Sequence, residues 1–233
     1  MRKRKPFLYI IVRDFISLFF PDYCAGCFNS LVKGESLICT RCMLEMPQTH
    51  YHLQRENSLK LRLEGRVRLI HALGFYRFSK RGRIQHILHA LKYKNQPELA
   101  IVLGRVYGQK LKDAEYSFDL IIPVPLHATR LRKRGYNQSS KFAQGLSEIL
   151  QVPFSDEVLS RSVKTDTQTR KTKLRRWENV SEVFILKEAS PIRGKHVLLV
   201  DDVITTGATI EACATILQSS GCCGVSIACI AVA

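Results

Sequence analysis

The chain has 233 residues, 45% of them hydrophobic, enough to bury a real core in one domain with a small appendage. Its 36 Lys and Arg against 20 Asp and Glu leave a formal net charge of +16. That balance favours polyanionic partners, whether nucleic acid, acidic lipid or a phosphate-rich small molecule, without choosing among them.

The chain opens MRKRKPFLYIIVRDFISLFFP. Basic residues before an apolar run have the look of a secretory leader, but Arg13 and Asp14 interrupt the run and no small-residue cleavage site follows. The segment also lacks the roughly 20 largely uncharged residues that cross a bilayer. Phe7, Ile10, Ile11, Phe15, Leu18 and Phe19 recur at helical spacing, which predicts an amphipathic helix over residues 7–20 that Pro21 ends. Such a helix caps the first module or, with Lys and Arg at its head, lies on a membrane surface.

Cys24, Cys27, Cys39 and Cys42 follow as CAGC and CTRC. Two such knuckles can aim four thiolates at one tetrahedral centre, and Zn²⁺ accepts four sulfurs with no open position. A pair of disulfides or a redox dithiol is the alternative, but redox motifs of this kind usually come singly. Cys213, Cys222, Cys223 and Cys229 lie in apolar surroundings and read as small buried hydrophobes. The division expected is an amphipathic helix plus zinc-ribbon-like module over 1–50, a polar connector with a loop or mobile helix over 51–70, and one larger domain over 71–233.

From His71 the pattern becomes regular. HALGFYRF alternates like a strand, IQHILHALK and ELAIVLGRVYGQKL have helical period, and FDLIIPVP is an apolar strand stopped by prolines. QSSKFAQGLSEIL is a helix, VFIL and HVLLV are strands, ATIEACATILQSS is a helix and GVSIACIAV a final strand. Strands alternating with helices imply an α/β fold, a parallel sheet with helices on both faces. Ligands in such sheets sit at the carboxyl ends of the strands, where PVPLH and DDVITTGAT both fall.

The second of those turns is the more specific. A helix N-terminus presents unpaired N–H groups and partial positive charge, so a phosphate placed there gains charge-assisted hydrogen bonds. Thr205, Thr206 and Thr209 add hydroxyl donors, while Gly207 and Ala208 keep the approach open. Asp201 and Asp202 suit vicinal hydroxyls or a Mg²⁺ shell, not an anion. Phosphate on one side and two hydroxyls on the other describe a ribose 5-phosphate. Lacking G-K-[ST] and two of the three glycines of a dinucleotide fingerprint, the turn is neither a Walker loop nor a Rossmann loop.

VLLVDDVITTGAT resembles the ribose-phosphate loop of type I phosphoribosyltransferases. IIPVPLHATRLRKRGYNQS, RSVKTDTQTRKTKLRRWENVSEVF and the four-cysteine knuckle together resemble the ComF (competence protein F) family over nearly the whole chain. The resemblance implies a type I phosphoribosyltransferase-like sheet that binds phosphoribosyl pyrophosphate (PRPP) with Mg²⁺, beside a structural zinc module. Asp201 and Asp202 would hold the ribose hydroxyls, and residues 205–209 the 5-phosphate. Val124 and Pro125, with Arg134 beyond them, would meet the pyrophosphate. The segment from Arg161 to Asn179 would close over the reacting centre, with Arg161 and Arg176 among its cations. Pyrophosphate departs with negative charge while the ribose becomes cation-like, so a mobile basic lid suits the chemistry. Purine-salvage transferases carry an acid where Thr205 stands, so neither a purine acceptor nor a general base can be named; His89 and His127 are candidates by type alone.

Family membership also implies a link to DNA uptake in natural competence, in the cytoplasm or at the inner face of the membrane, with a helicase-like partner. Two readings of function therefore stand: phosphoribosyl transfer to an unidentified acceptor, or a non-catalytic protein that keeps the ribose-phosphate site and binds single-stranded DNA. Aromatic residues beside cations, as at Arg134–Tyr136 and Arg176–Trp177, suit the second. A PRPP- or ppGpp-sensing regulator would need the phosphate loop alone.

Overall fold

The computed structural model describes residues 20–161 and 184–233. The helix expected over 7–20 and the lid beyond Arg161, with Arg176, lie outside the described residues.

Chain order runs α1 (Thr40–Glu45), α2 (Ser58–Leu63), β1 (Ala72–Arg77), α3 (Arg83–Tyr93), α4 (Glu98–Asp113), β2 (Leu120–Pro123), α5 (Ala128–Arg134) and α6 (Gln138–Leu150). Then come β3 (Leu159–Arg161), β4 (Phe184–Leu186), β5 (His196–Ile204), α7 (Ala208–Ser219) and β6 (Gly224–Val232). Four strands form one sheet in the order β1-β6-β5-β2, every pair parallel. β3 and β4, which flank residues 162–183, pair antiparallel as a separate ribbon.

The apolar run of β5 shows why the sheet is central. Leu198 and Val200 enter the cluster that holds α3, α4 and α6, while Val197 and Leu199 enter the one that holds α7 and α2. All four are fully buried. Successive side chains point to opposite faces, so only a strand covered on both sides needs such a run. The parallel sheet flanked by helices is thus the architecture observed.

α4 and α6 pack unusually closely. A Cβ on Gly104 would lie 2.4 Å from the Phe142 carbonyl oxygen, and one on Gly145 would lie 2.2 Å from that of Ile101. The two glycines let the backbones meet, and this pair supports the sheet face behind β2 and β5.

Residues 48–68 hold more structure than their polar composition announces. α2 is capped by Asn57, whose Oδ1 accepts from the N–H of Leu59 and of Lys60 at 3.1 Å each. Asn57 Nδ2 also donates to the Ala72 oxygen at 3.0 Å, tying the cap to β1. Leu59 and Leu63 are fully buried, so the helix is fixed by its one apolar face. α5 has no buried residue and is set by its ends. His127 Nδ1 accepts from the Thr129 N–H at 3.2 Å, and Gly135, at φ +78, closes the helix on the Leu131 oxygen at 2.8 Å.

Candidate active site and the four-cysteine cluster

The carboxyl ends of β2 and β5 meet over a cavity of about 190 Å³. Lys92, Val124, Pro125, Arg130, Arg134, Ser139, Arg161, Asp201, Asp202 and Thr209 are among its lining residues. Seven different elements or their ends supply them, so the cavity exists only in the folded chain. β5 runs on through the acid pair to Ile204 instead of ending before it, and α7 begins at Ala208 with Gly207 as its cap at φ +81. The two aspartates therefore stand in the second half of a paired strand.

Each acid is oriented by protein groups. Asp201 Oδ1 accepts from Ser139 Oγ at 3.0 Å and from the Asp202 N–H at 2.8 Å. Asp202 Oδ1 accepts from the Val203 N–H at 2.7 Å, and its Oδ2 pairs with Lys92 Nζ at 2.9 Å. Burial, followed by the Asp202 charge, raises the Asp201 carboxyl to about 7 against opposing hydrogen bonds from Asp202 and Ser139 and the Lys92 charge. An acid pair so strained gains from a cation or from donated hydroxyls.

Cations line the same cavity. Burial, then the neighbouring Arg130 charge, lowers Arg161 from the ordinary guanidinium range. Its Nε is buried without a hydrogen-bond partner among the described residues, and its guanidinium lies 5.2 Å from the Phe184 ring centroid. Like charges brought together with an unmet donor make a place where an anion is stabilising. The turn between β2 and α5 is pinned beside it: the Val124 N–H donates to the Val200 oxygen at 2.8 Å, and Asn137 Nδ2 donates to the Val124 oxygen at 2.9 Å.

Among the residues expected from sequence, Asp201, Asp202, Thr209, Val124, Pro125, Arg134 and Arg161 face this one cavity. Thr205 and Thr206 are exposed, Gly207 is buried against Leu63, Ala208 opens α7, and none of these four lines the cavity itself. His127 is engaged in capping α5, and His89 is exposed on α3 with its ring 4.8 Å from that of Tyr93; neither lines the cavity. Sequence reasoning missed Lys92 and Ser139. Lys92 carried a signal, because it stands four and eight residues beyond Leu88 and Ile84 on the buried stripe of α3, where a lysine needs a partner.

At the other end of α3, the sulfurs of Cys24, Cys27, Cys39 and Cys42 all lie within 4.8 Å of one another. Cys27 Sγ is 3.7 Å from Cys39 Sγ. Four sulfurs about 2.3 Å from a tetrahedral Zn²⁺ stand about 3.8 Å apart, so the donor set and its size fit that ion. Main-chain N–H groups of Gly26 and Cys39 donate to Cys24 Sγ at 3.4 and 3.2 Å, and that of Cys42 to Cys39 Sγ at 3.4 Å, as thiolates require. Three of the four cysteines are buried in the same core cluster as Ile84 and Ile87 of α3. His86 Nδ1 is 2.8 Å from the Gly26 oxygen, and Arg83 Nη1 pairs with Glu45 Oε2 at 2.6 Å.

Topology and cavity together define an α/β protein of the phosphoribosyltransferase class. Residues 89–233 match the family described as the phosphoribosyl transferase domain, and the chain belongs to that family. Its relatives include the DNA utilization protein YhgH of Escherichia coli (strain K12), 29% identical over 212 residues that cover 89% of this chain and 88% of that protein. Competence protein F of Haemophilus influenzae is 34% identical over 143 residues, 58% of this chain and 62% of that one. These relatives agree with the ComF resemblance carried by the motifs. A solved glutamine PRPP amidotransferase from B. subtilis superposes with a TM-score of 0.44 at 20% identity, over 60% of this chain and 30% of that one. This chain thus spans less than a third of that structure's length.

Proposed function

We propose that this chain binds PRPP with Mg²⁺ in the cavity between β2 and β5 and transfers its phosphoribosyl group to an acceptor, in a process tied to DNA uptake or use. The observation that carries the reading is one cavity lined both by the acid pair and by Lys92, Arg130, Arg134 and Arg161, with Lys92 already paired to Asp202. PRPP has that polarity, a diol at one side and a pyrophosphate at the other. Asp201 and Asp202 accept from the ribose hydroxyls, the loop at 205–209 receives the 5-phosphate, and Val124, Pro125 and Arg134 receive the pyrophosphate. Mg²⁺ fits a site offering one or two carboxylates plus ligand phosphates, and it supplies charge neutralisation of the departing pyrophosphate. Arg161, and Arg176 from the lid, add positive charge as that group leaves, and Lys92 is placed to exchange Asp202 for it. Zn²⁺ in the four-cysteine cluster is structural, with no open position for chemistry. Pyrophosphate release from Mg–PRPP, screened over bases, amines and single-stranded oligonucleotides, tests the reading. Release with any acceptor that is lost in Asp202→Asn supports it; no release with any of them leaves binding without transfer.

A second reading has its own observation. Lys92, Tyr93, Asn95, Arg130, Lys133, Arg134 and Tyr136 line a groove of about 520 Å³ that shares Lys92, Arg130 and Arg134 with the candidate active site. Tyr93 is 64% exposed, with the Arg134 guanidinium 5.8 Å from its ring centroid. An open ring among cations is the arrangement that stacks a base and holds its backbone phosphates. The chain on this reading binds single-stranded DNA, in keeping with a relative named a DNA utilization protein, and hands it to a helicase-like partner. Among the described residues no helix is long and apolar enough to cross a membrane; contact with the inner membrane face would be peripheral. DNA affinity that falls steeply with salt, with a slope reduced in Lys133→Ala/Arg134→Ala, supports this reading.

A further inference from the structure

The loop that follows β5 is held from behind by α2 and the turn after it. Arg62 Nη1 donates to the main-chain oxygen of Thr205 at 2.9 Å and to that of Ala233 at 2.6 Å. Arg66 Nη1 donates to the Thr206 oxygen at 2.8 Å, while its Nε donates to Glu211 Oε2 at 2.9 Å on the first turn of α7. Between the two arginines the fully buried Leu63 side chain closes on Gly207, where an added Cβ would lie 2.3 Å from Leu63 Cδ2. Three consecutive loop residues are thus each met by a residue of α2 or the turn behind it.

These contacts have a directional consequence. In a planar trans peptide the C=O and N–H point opposite ways. Drawing the oxygens of Thr205 and Thr206 towards α2 therefore turns the N–H groups of Thr206 and Gly207 to the other face of the loop. A half-turn of either peptide plane would reverse this and set a carbonyl oxygen against an incoming phosphate. The guanidinium groups resist that flip because each is anchored twice: Arg62 also on Ala233, Arg66 also on Glu211.

We propose that Arg62 and Arg66 are positioning residues for the phosphoribosyl site, fixing the peptide planes 205–206 and 206–207 so that the loop presents N–H donors to a sugar 5-phosphate. The inference rests on the reading of this loop as the phosphate cradle. Neither arginine touches the ligand; each acts through a main-chain oxygen.

Calorimetry on the full chain with two separate probes, ribose 5-phosphate and Mg–pyrophosphate, tests it. A misdirected donor to a charged phosphate weakens binding on the order of tenfold, so Arg62→Ala/Arg66→Ala loses at least that for ribose 5-phosphate. Its affinity for Mg–pyrophosphate, held at the β2 turn, stays within about twofold, because effects at sites without shared partners are independent. Arg66→Lys recovers part of the loss, since an ammonium reaches one partner but lacks the fork that spans two. Glu211→Gln, which leaves the Arg66–Thr206 bond and loosens its anchor, falls between. If the double variant fails to fold, the two single variants carry the test. Unchanged ribose 5-phosphate affinity in the variants overturns this inference alone; a wild-type chain that takes up neither probe overturns the reading of the site and the inference with it.

Discussion

Replacing Asp201 by Asn asks whether the acid pair is kept at a cost to folding. Burial and the Asp202 charge raise the Asp201 carboxyl from the usual 3.8 to about 7. Between those values the folded chain retains a proton that the unfolded chain has released. Because the folded value is the raised one, the stability linked to this group is full below about pH 4 and is lost as pH climbs through about 7. Each pH unit in that window is worth about 1.36 kcal/mol, so the wild-type chain loses up to about 4 kcal/mol across it. The Asn variant, which has nothing to ionise, loses none of it. Other groups that titrate in the range, including His52, His71 and His196, each lowered chiefly by burial, contribute equally to both proteins and cancel in the difference. Denaturant unfolding at about pH 5 and about pH 8 should therefore show the variant gaining at least about 2 kcal/mol on the wild type at the higher pH. Parallel pH profiles for the two proteins would refute the reasoning, because the carboxylate would then be ionised throughout.

Other perturbations separate the parts of the account. Gly207→Ala forces a side chain into φ +81 and into Leu63, 2.3 Å away; it should cost about 1–3 kcal/mol in denaturant unfolding and abolish ribose 5-phosphate binding. Gly145→Ala drives a methyl into the Ile101 oxygen at 2.2 Å and should cost at least about 1–3 kcal/mol by prying α4 from α6, with ligand stoichiometry unchanged in the fraction that stays folded. The protein as purified should carry one zinc per chain by elemental analysis, and Cys42→Ala should lose both the metal and several kcal/mol of stability, since that sulfur sits in the core beside α3. Lys92→Met removes the partner of Asp202 and should weaken Mg–PRPP binding about tenfold, the scale of one charge-assisted contact.

The sheet was legible because its strands are apolar runs bounded by glycine, proline or acid, and a run such as Val197–Val200 has no other economical use. α3, α4, α6 and α7 were legible from their periodic apolar stripes. α5 was not, because no side chain of it is buried and its caps, His127 and Gly135, act only when the chain is already placed. α2 lay hidden in a polar stretch, because Leu59 and Leu63 are the only two of its own six residues that are buried. At the candidate site, residues contributed by contiguous motifs could be read; Lys92 showed only as a lysine on a buried helical stripe, with no sign of its partner, and Ser139, Arg62 and Arg66 gave no signal. Each of those reaches its partner across 62 to 171 positions of chain, and local pattern does not name a partner at that range. The strand also runs further than its apolar part, through Asp201 and Asp202, because pairing with β6 continues to Val232 and outweighs the low strand preference of aspartate.

Calorimetric titration of the wild-type chain and of Asp202→Asn with Mg–PRPP tests the central claim most directly. The account requires one PRPP per wild-type chain and an affinity at least about tenfold lower in the variant, where a charged acceptor for the ribose diol becomes neutral. A wild-type chain that gives no heat, or a variant that binds as well as the wild type, would contradict it.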